Sequence, residues 1–102
     1  MNQKTKTKNK TAAKKSAVSF TDNGFEDYLY WQKTDQKVFE SINELLKECI
    51  RHPFSGTGKP EPLVGDLTGY WSRHIDKKNR LVYLPEDGNI YVIQCRFHYG
   101  DK

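Results

Sequence analysis

The strongest constraint in this sequence is an apolar stripe. Val38, Ile42, Leu45, Leu46 and Cys49 recur with a period near 3.6, and Lys37, Glu40, Glu44, Lys47 and Glu48 fall on the other side. That spacing gathers the apolar side chains on one helical face, which must be covered by another apolar surface. Thr34 or Asp35 can cap the start of this helix, and His52-Pro53 stops it. A shorter helix is expected before it, capped by Thr21 or Asp22 and carrying Phe25, Tyr28 and Leu29 at i, i+3, i+4. Ala17–Phe20 is apolar enough for a first strand.

The surface that covers the stripe is supplied by the C-terminal half. Tyr70–Ile75, Arg80–Leu84 and Tyr91–Phe97 read as three strands, separated by the turns Asp76-Lys77-Lys78-Asn79 and Pro85-Glu86-Asp87-Gly88. Such tight connections make the strands antiparallel. Phe54–Leu67, punctuated by Gly56, Gly58, Pro60, Pro62 and Gly65, reads as a long loop, and a loop of this length in a small domain is either functional or disordered. The expected fold is therefore α+β in the order β-α-α-β-β-β. Two helices pack on one face of a mainly antiparallel twisted sheet, leaving the other face to a ligand.

Charge is distributed unevenly. Six of the 17 Lys and Arg residues lie in residues 1–16 (Lys4, Lys6, Lys8, Lys10, Lys14 and Lys15), where there is no acid. The remainder has eleven basic against 13 acidic residues, so any nucleic-acid surface on it is a local patch rather than a global field. Residues 1–16 have almost nothing to bury and are expected to be a disordered tail, with one domain over 17–102. The tail reads either as a solvated extension or as a non-specific tether for a polyanion. No run approaches a membrane span and no leader pattern is visible, so a cytoplasmic protein is expected. Cys49 and Cys95 show no metal-ligand spacing and read as buried thiols.

The meander carries one geometric implication. The start of the strand at Arg80 lies beside the end of the last strand, at Arg96–Tyr99, and the Asp76–Asn79 turn is at the same end. Arg80, Arg96, His98 and Tyr99 can therefore share a rim. Nothing in the sequence alone places Glu61.

More specific are the segments Tyr28-Leu29-Tyr30-Trp31-Gln32, Ile42-Asn43-Glu44-Leu45-Leu46-Lys47, and Pro53 through Leu63 with its Gly58-Lys59-Pro60-Glu61-Pro62-Leu63 core. They are followed by Leu67 through Ile75, Arg80-Leu81-Val82-Tyr83 and Cys95-Arg96-Phe97-His98-Tyr99. Over roughly residues 17–99 this series resembles the Txe/YoeB family of toxins within the RelE/ParE superfamily. The resemblance implies a RelE-like fold and the toxin of a type II toxin–antitoxin pair. It further implies a ribosome-dependent mRNA endoribonuclease that needs no metal or cofactor, usually a homodimer, silenced by a YefM-type antitoxin. It assigns the general base to Glu61, the phosphate-binding arginine to Arg80 and the general acid to His98, with Tyr99 beside it. The sequence departs from the pattern in residues 1–16, in Gly100-Asp101-Lys102 after the His-Tyr pair, and at Val64 and His74, where some relatives carry a basic residue.

The chemistry suits these residue types. RNA carries its own nucleophile, the 2′-OH, so cleavage needs a base for that proton, an acid for the leaving 5′-oxygen and a cation for the phosphorane. A carboxylate, an imidazole and a guanidinium supply these near neutrality. Each residue also has a plain reading. Glu61 could be a solvated loop acid, His98 an exposed terminal histidine, and Arg80 a partner of Glu86 or Asp87. Tyr99 could stack on a base or cover a sheet edge. Arg73 and Arg96 could grip phosphate, brace the site or sit in water, and Lys59 could touch RNA backbone or only solvent. Two rival functions share the fold: a gyrase-poisoning toxin of ParE type, and a non-catalytic RNA- or antitoxin-binding module. Neither is expected to carry the Glu/Arg/His set.

Overall fold

The computed structural model describes residues 17–97. Its elements are β1 (Ala17–Phe20), α1 (Asp22–Thr34), α2 (Gln36–Arg51), β2 (Glu61–Pro62), a 3-10 turn at Gly65–Leu67, β3 (Trp71–His74), β4 (Arg80–Glu86) and β5 (Asn89–Gln94). The expectations for residues 1–16, for His98 and Tyr99, and for Gly100–Lys102 lie outside the described residues.

Side-chain oxygens set the helix starts. Thr21 accepts the Gly24 N–H at 3.1 Å and caps α1. Asp35 accepts the N–H groups of Lys37 and Val38 at 3.1 and 3.2 Å, while its own N–H closes α1 on the Trp31 carbonyl. One residue thus ends the first helix and begins the second, which forces a tight helical hairpin. Gly24 brings α1 down onto β5, because a Cβ there would meet the Val92 carbonyl oxygen at 2.4 Å.

The sheet has the order β1-β5-β4-β3-β2. β1 runs parallel to β5, from Ala17↔Asn89 to Phe20↔Val92, and every other pairing is antiparallel. The two helices cover one face. Trp31, Ile42, Leu45, Leu46 and Cys49 pack on Leu81, Tyr83, Ile90, Val92 and Cys95. Burying each large side chain contributes roughly 1.5–3 kcal/mol. An aromatic row, Phe20–Tyr28–Phe39, extends this core with ring centroids 4.9 and 4.8 Å apart.

Three details differ from the sequence reading. The loop over Phe54–Leu67 contains β2, a two-residue edge strand, and the 3-10 turn. The last hairpin is tighter than a Pro85–Gly88 turn: pairing continues to Glu86↔Asn89, and Asp87 and Gly88 both take positive φ, the primed geometry that matches strand twist. The helix-free face is not bare either. Ser72 and Val82 on that face are fully buried, and Arg80 and Gln94 are nine-tenths buried.

Candidate functional site

The turn Asp76–Asn79 is organised by one carboxylate. Asp76 Oδ1 accepts the N–H groups of Lys78 and Asn79 at 2.8 and 2.7 Å, and both its oxygens accept from Asn79 Nδ2 at 3.1 Å. Burial works against the charge on Asp76. The Asn79 side chain and backbone, the Lys78 N–H and the nearby Arg80 cation outweigh it, and together hold the carboxyl below its usual range.

Arg80 leaves this turn at the start of β4. Its Nη1 donates to the carbonyls of Asp76, Lys77 and Asn79 at 2.9, 3.2 and 3.2 Å. It pairs with neither Glu86 nor Asp87 among the described residues. The Arg80 N–H donates to the Phe97 carbonyl at 2.9 Å, so the end of the last strand does lie beside it. Arg96 sits at this end too, but its guanidinium is stacked 3.6 Å above the Tyr30 ring of α1 and 4.5 Å from the Phe97 ring. A cation so placed faces an aromatic surface.

Glu61 is positioned by β2. It pairs with Ser72, which pairs with Val82 on β4, while His74 pairs with Arg80. Directly paired residues share a face, and so do residues two apart along a strand. Glu61 and Arg80 therefore project from the same, helix-free face. Two strands across and two residues along put their Cα atoms about 12 Å apart. Glu61 is exposed. The ladder continues past β2 through the Leu63 N–H and the Tyr70 carbonyl, 2.9 Å apart, and Pro62, which has no N–H, lies between these paired positions.

The RNA-binding candidates separate. Lys59 is exposed, with φ +52, two residues before Glu61. Arg73 is a correction to the sequence reading as a phosphate contact: it is fully buried and cannot reach a ligand from there. Its alternation puts it on the helix side, where Nη2 donates to the His52 and Ser55 carbonyls, Nη1 to the Thr57 carbonyl at 3.1 Å, and Nε to Tyr83 Oη at 3.0 Å. Glu48 lies 3.7 Å from Nη1 and accepts the Thr57 N–H at 2.8 Å. That hydrogen bond, then the Arg73 charge, lowers the Glu48 carboxyl against the opposing effect of burial. Arg73 thus braces the loop leading to Glu61. The Tyr83 phenol donates to the Pro53 carbonyl at 2.7 Å, and burial pushes its pKa up to about 12. Burial likewise raises the Cys49 thiol. Both stay neutral and structural.

The sequence reading missed Asn79 and Gln94. Asn79 Oδ1 accepts the Phe97 N–H at 2.7 Å, and Gln94 Nε2 donates to the Arg96 and Phe97 carbonyls at 2.8 and 3.4 Å. Asp76 and Asn79 at the two ends of a turn are the only signal, and they read as turn chemistry. A groove along α2, bounded by Val18 and Phe20 of β1 and by His74 and Ile75, lies elsewhere, and neither Glu61 nor Arg80 lines it.

The model of a family described as the YoeB-like toxin of bacterial type II toxin–antitoxin systems matches residues 20–99. A toxin YoeB of Streptomyces coelicolor is 52% identical over 82 residues, covering 80% of this chain and 98% of that protein. Among solved structures, a YoeB/ParE toxin from Agrobacterium tumefaciens superposes with a TM-score of 0.78 at 47% identity, over 81% of this chain and 99% of that one. A YoeB dimer from Staphylococcus aureus gives 0.78 at 44%, over 83% and 99%. A heterotetrameric YoeB–YefM toxin–antitoxin complex from the same organism gives 0.76 at 46%, over 80% and 95%.

Proposed function

Because the chain belongs to the family of YoeB-like toxins of bacterial type II toxin–antitoxin systems, we propose that it is an endoribonuclease that cuts mRNA on the ribosome without a metal and so arrests translation. The observation that carries this reading is the sheet register. It sets the Glu61 carboxylate and the Arg80 guanidinium on one face, while the Arg80 N–H holds the Phe97 carbonyl, one residue before His98 in the chain. Glu61 takes the proton from the 2′-OH, and the oxygen attacks the adjacent phosphorus. Arg80 neutralises the phosphorane charge. His98 gives its proton to the departing 5′-oxygen, leaving a 2′,3′-cyclic phosphate and a 5′-OH. Tyr99 stacks on the RNA beside the acid. Lys59 adds a backbone contact from the loop before Glu61, and Arg96 a weaker one.

By the same kinship the toxin pairs with a second copy and is silenced in the cytoplasm by a YefM-type antitoxin. The partner of a solved relative carries that name. Cationic groups at one rim favour an acidic, aromatic antitoxin segment that folds on binding.

Primer extension on ribosome-bound mRNA tests the activity. In EDTA the wild type should give 5′-OH products, whereas Glu61→Gln, Arg80→Ala and His98→Ala should each be ~10²–10³-fold slower while still binding antitoxin. A 5′-phosphate product, or a fully active His98→Ala, would overturn the mechanism.

A further inference from the structure

We propose that Asn79, oriented by Asp76, is a positioning residue that fixes the backbone of Phe97 and so sets how the chain enters His98. The inference rests on the functional reading above. Phe97 has φ +66, a left-handed conformation in which a bulky side chain is crowded by its own backbone. Such a residue keeps that conformation only where its surroundings over-determine it.

Here they do. Asn79 Oδ1 holds the Phe97 N–H at 2.7 Å, and the Arg80 N–H holds its carbonyl at 2.9 Å. Gln94 Nε2 reaches the Arg96 carbonyl at 2.8 Å and the Phe97 carbonyl at 3.4 Å. Two residues before Phe97, the Cys95 N–H donates to Asp27 Oδ2 at 3.0 Å, and its carbonyl accepts from Trp31 Nε1 at 2.8 Å. Cys95–Phe97 follows the end of β5, so these side chains stand in for a strand ladder.

Within this set Asn79 is the member tied to the arginine of the site. Its amide cannot turn over: Nδ2 faces both oxygens of Asp76, and a flip would set oxygen against carboxylate and NH2 against the Phe97 N–H. Asn79 is also nine-tenths buried, unlike an ordinary turn asparagine. The same turn carbonyls hold Arg80 Nη1. A single turn therefore indexes the phosphate-binding group against the backbone that leads to the acid. A misplacement of about 1 Å at such a site can cost about 100-fold in rate.

The test compares wild type, Asn79→Ala and Asn79→Ala/Phe97→Gly in single-turnover cleavage of ribosome-bound mRNA, with ribosome affinity measured alongside. Asn79→Ala should slow the cleavage step about 10–100-fold with affinity within about twofold of wild type. Glycine adopts positive φ without a side-chain clash, so the double variant should regain about tenfold. A purely structural Asn79 gives the opposite: Phe97→Gly also removes the contact with Arg96, and the double variant is worse than the single. Equal rates for wild type and Asn79→Ala, or a double variant slower than the single, overturn the proposal. Hydrogen exchange of the Phe97 amide is read independently of activity. It should be at least about tenfold faster in Asn79→Ala, and unchanged protection overturns the clamp. A wild type that leaves mRNA intact while the Phe97 amide still responds to Asn79→Ala would instead refute the endoribonuclease reading.

Discussion

The Ser72 hydroxyl is fully buried opposite Glu61 and has no hydrogen-bond partner among the described residues. A buried polar group left unpaired costs free energy that its removal returns. Ser72→Ala should therefore be neutral or stabilising by about 1 kcal/mol in urea denaturation; a clear loss would mean that the hydroxyl has a partner in solution. Arg73 is the reverse case, a buried cation with every side of its guanidinium engaged. Arg73→Met strands the carbonyls of His52, Ser55 and Thr57 and leaves Glu48 without its cation. It should cost about 3 kcal/mol or more. Its effect on ribosome binding by the folded protein should leave the salt dependence unchanged, whereas loss of a phosphate contact would lower the slope by about one.

At the level of elements, the Asp76–Asn79 turn should make stability depend on pH. The Asp76 carboxyl titrates below its unfolded range in the folded protein. The carboxylate therefore adds stability above about pH 4 and loses it as the pH falls through the depressed folded value. The urea midpoints of wild type and Asp76→Asn should differ at neutral pH and converge in acid; a gap independent of pH would assign the effect to packing. The rim at Arg80 was legible because hairpin connections leave the meander little choice of neighbours. So were both helices, since the stripe from Val38 to Cys49 and a capping oxygen at Thr21 or Asp35 are local signals. β2 was not legible: Glu61-Pro62 has no alternation to show, and its strand geometry comes from the ladder of β3. The burial of Arg73 was hidden for a related reason. The loop over 52–57 closes on it from a distant part of the chain, and nothing in Trp71-Ser72-Arg73-His74 announces that.

Across the whole molecule, charge and topology pull on different parts of the chain. The surplus lysines fall in residues 1–16, while the rest has more acids than bases. If that segment supplies attraction to ribosomal RNA, deleting residues 2–16 should leave fold and antitoxin binding intact. It should also weaken ribosome association and flatten its salt dependence; superimposable salt curves would show the segment to be inert. The sheet order has a consequence for the protein's own synthesis. β5 is the last strand made among the described residues, yet it lies between β1 and β4. Until it leaves the ribosome β1 has no strand to pair with, and Arg80 lacks the Phe97 carbonyl that holds its backbone. The nascent chain cannot assemble from its beginning, as a ladder of successive hairpins could. If the toxin acts on ribosomes, as proposed, it is thereby kept unassembled for most of the time it spends on the one that is making it.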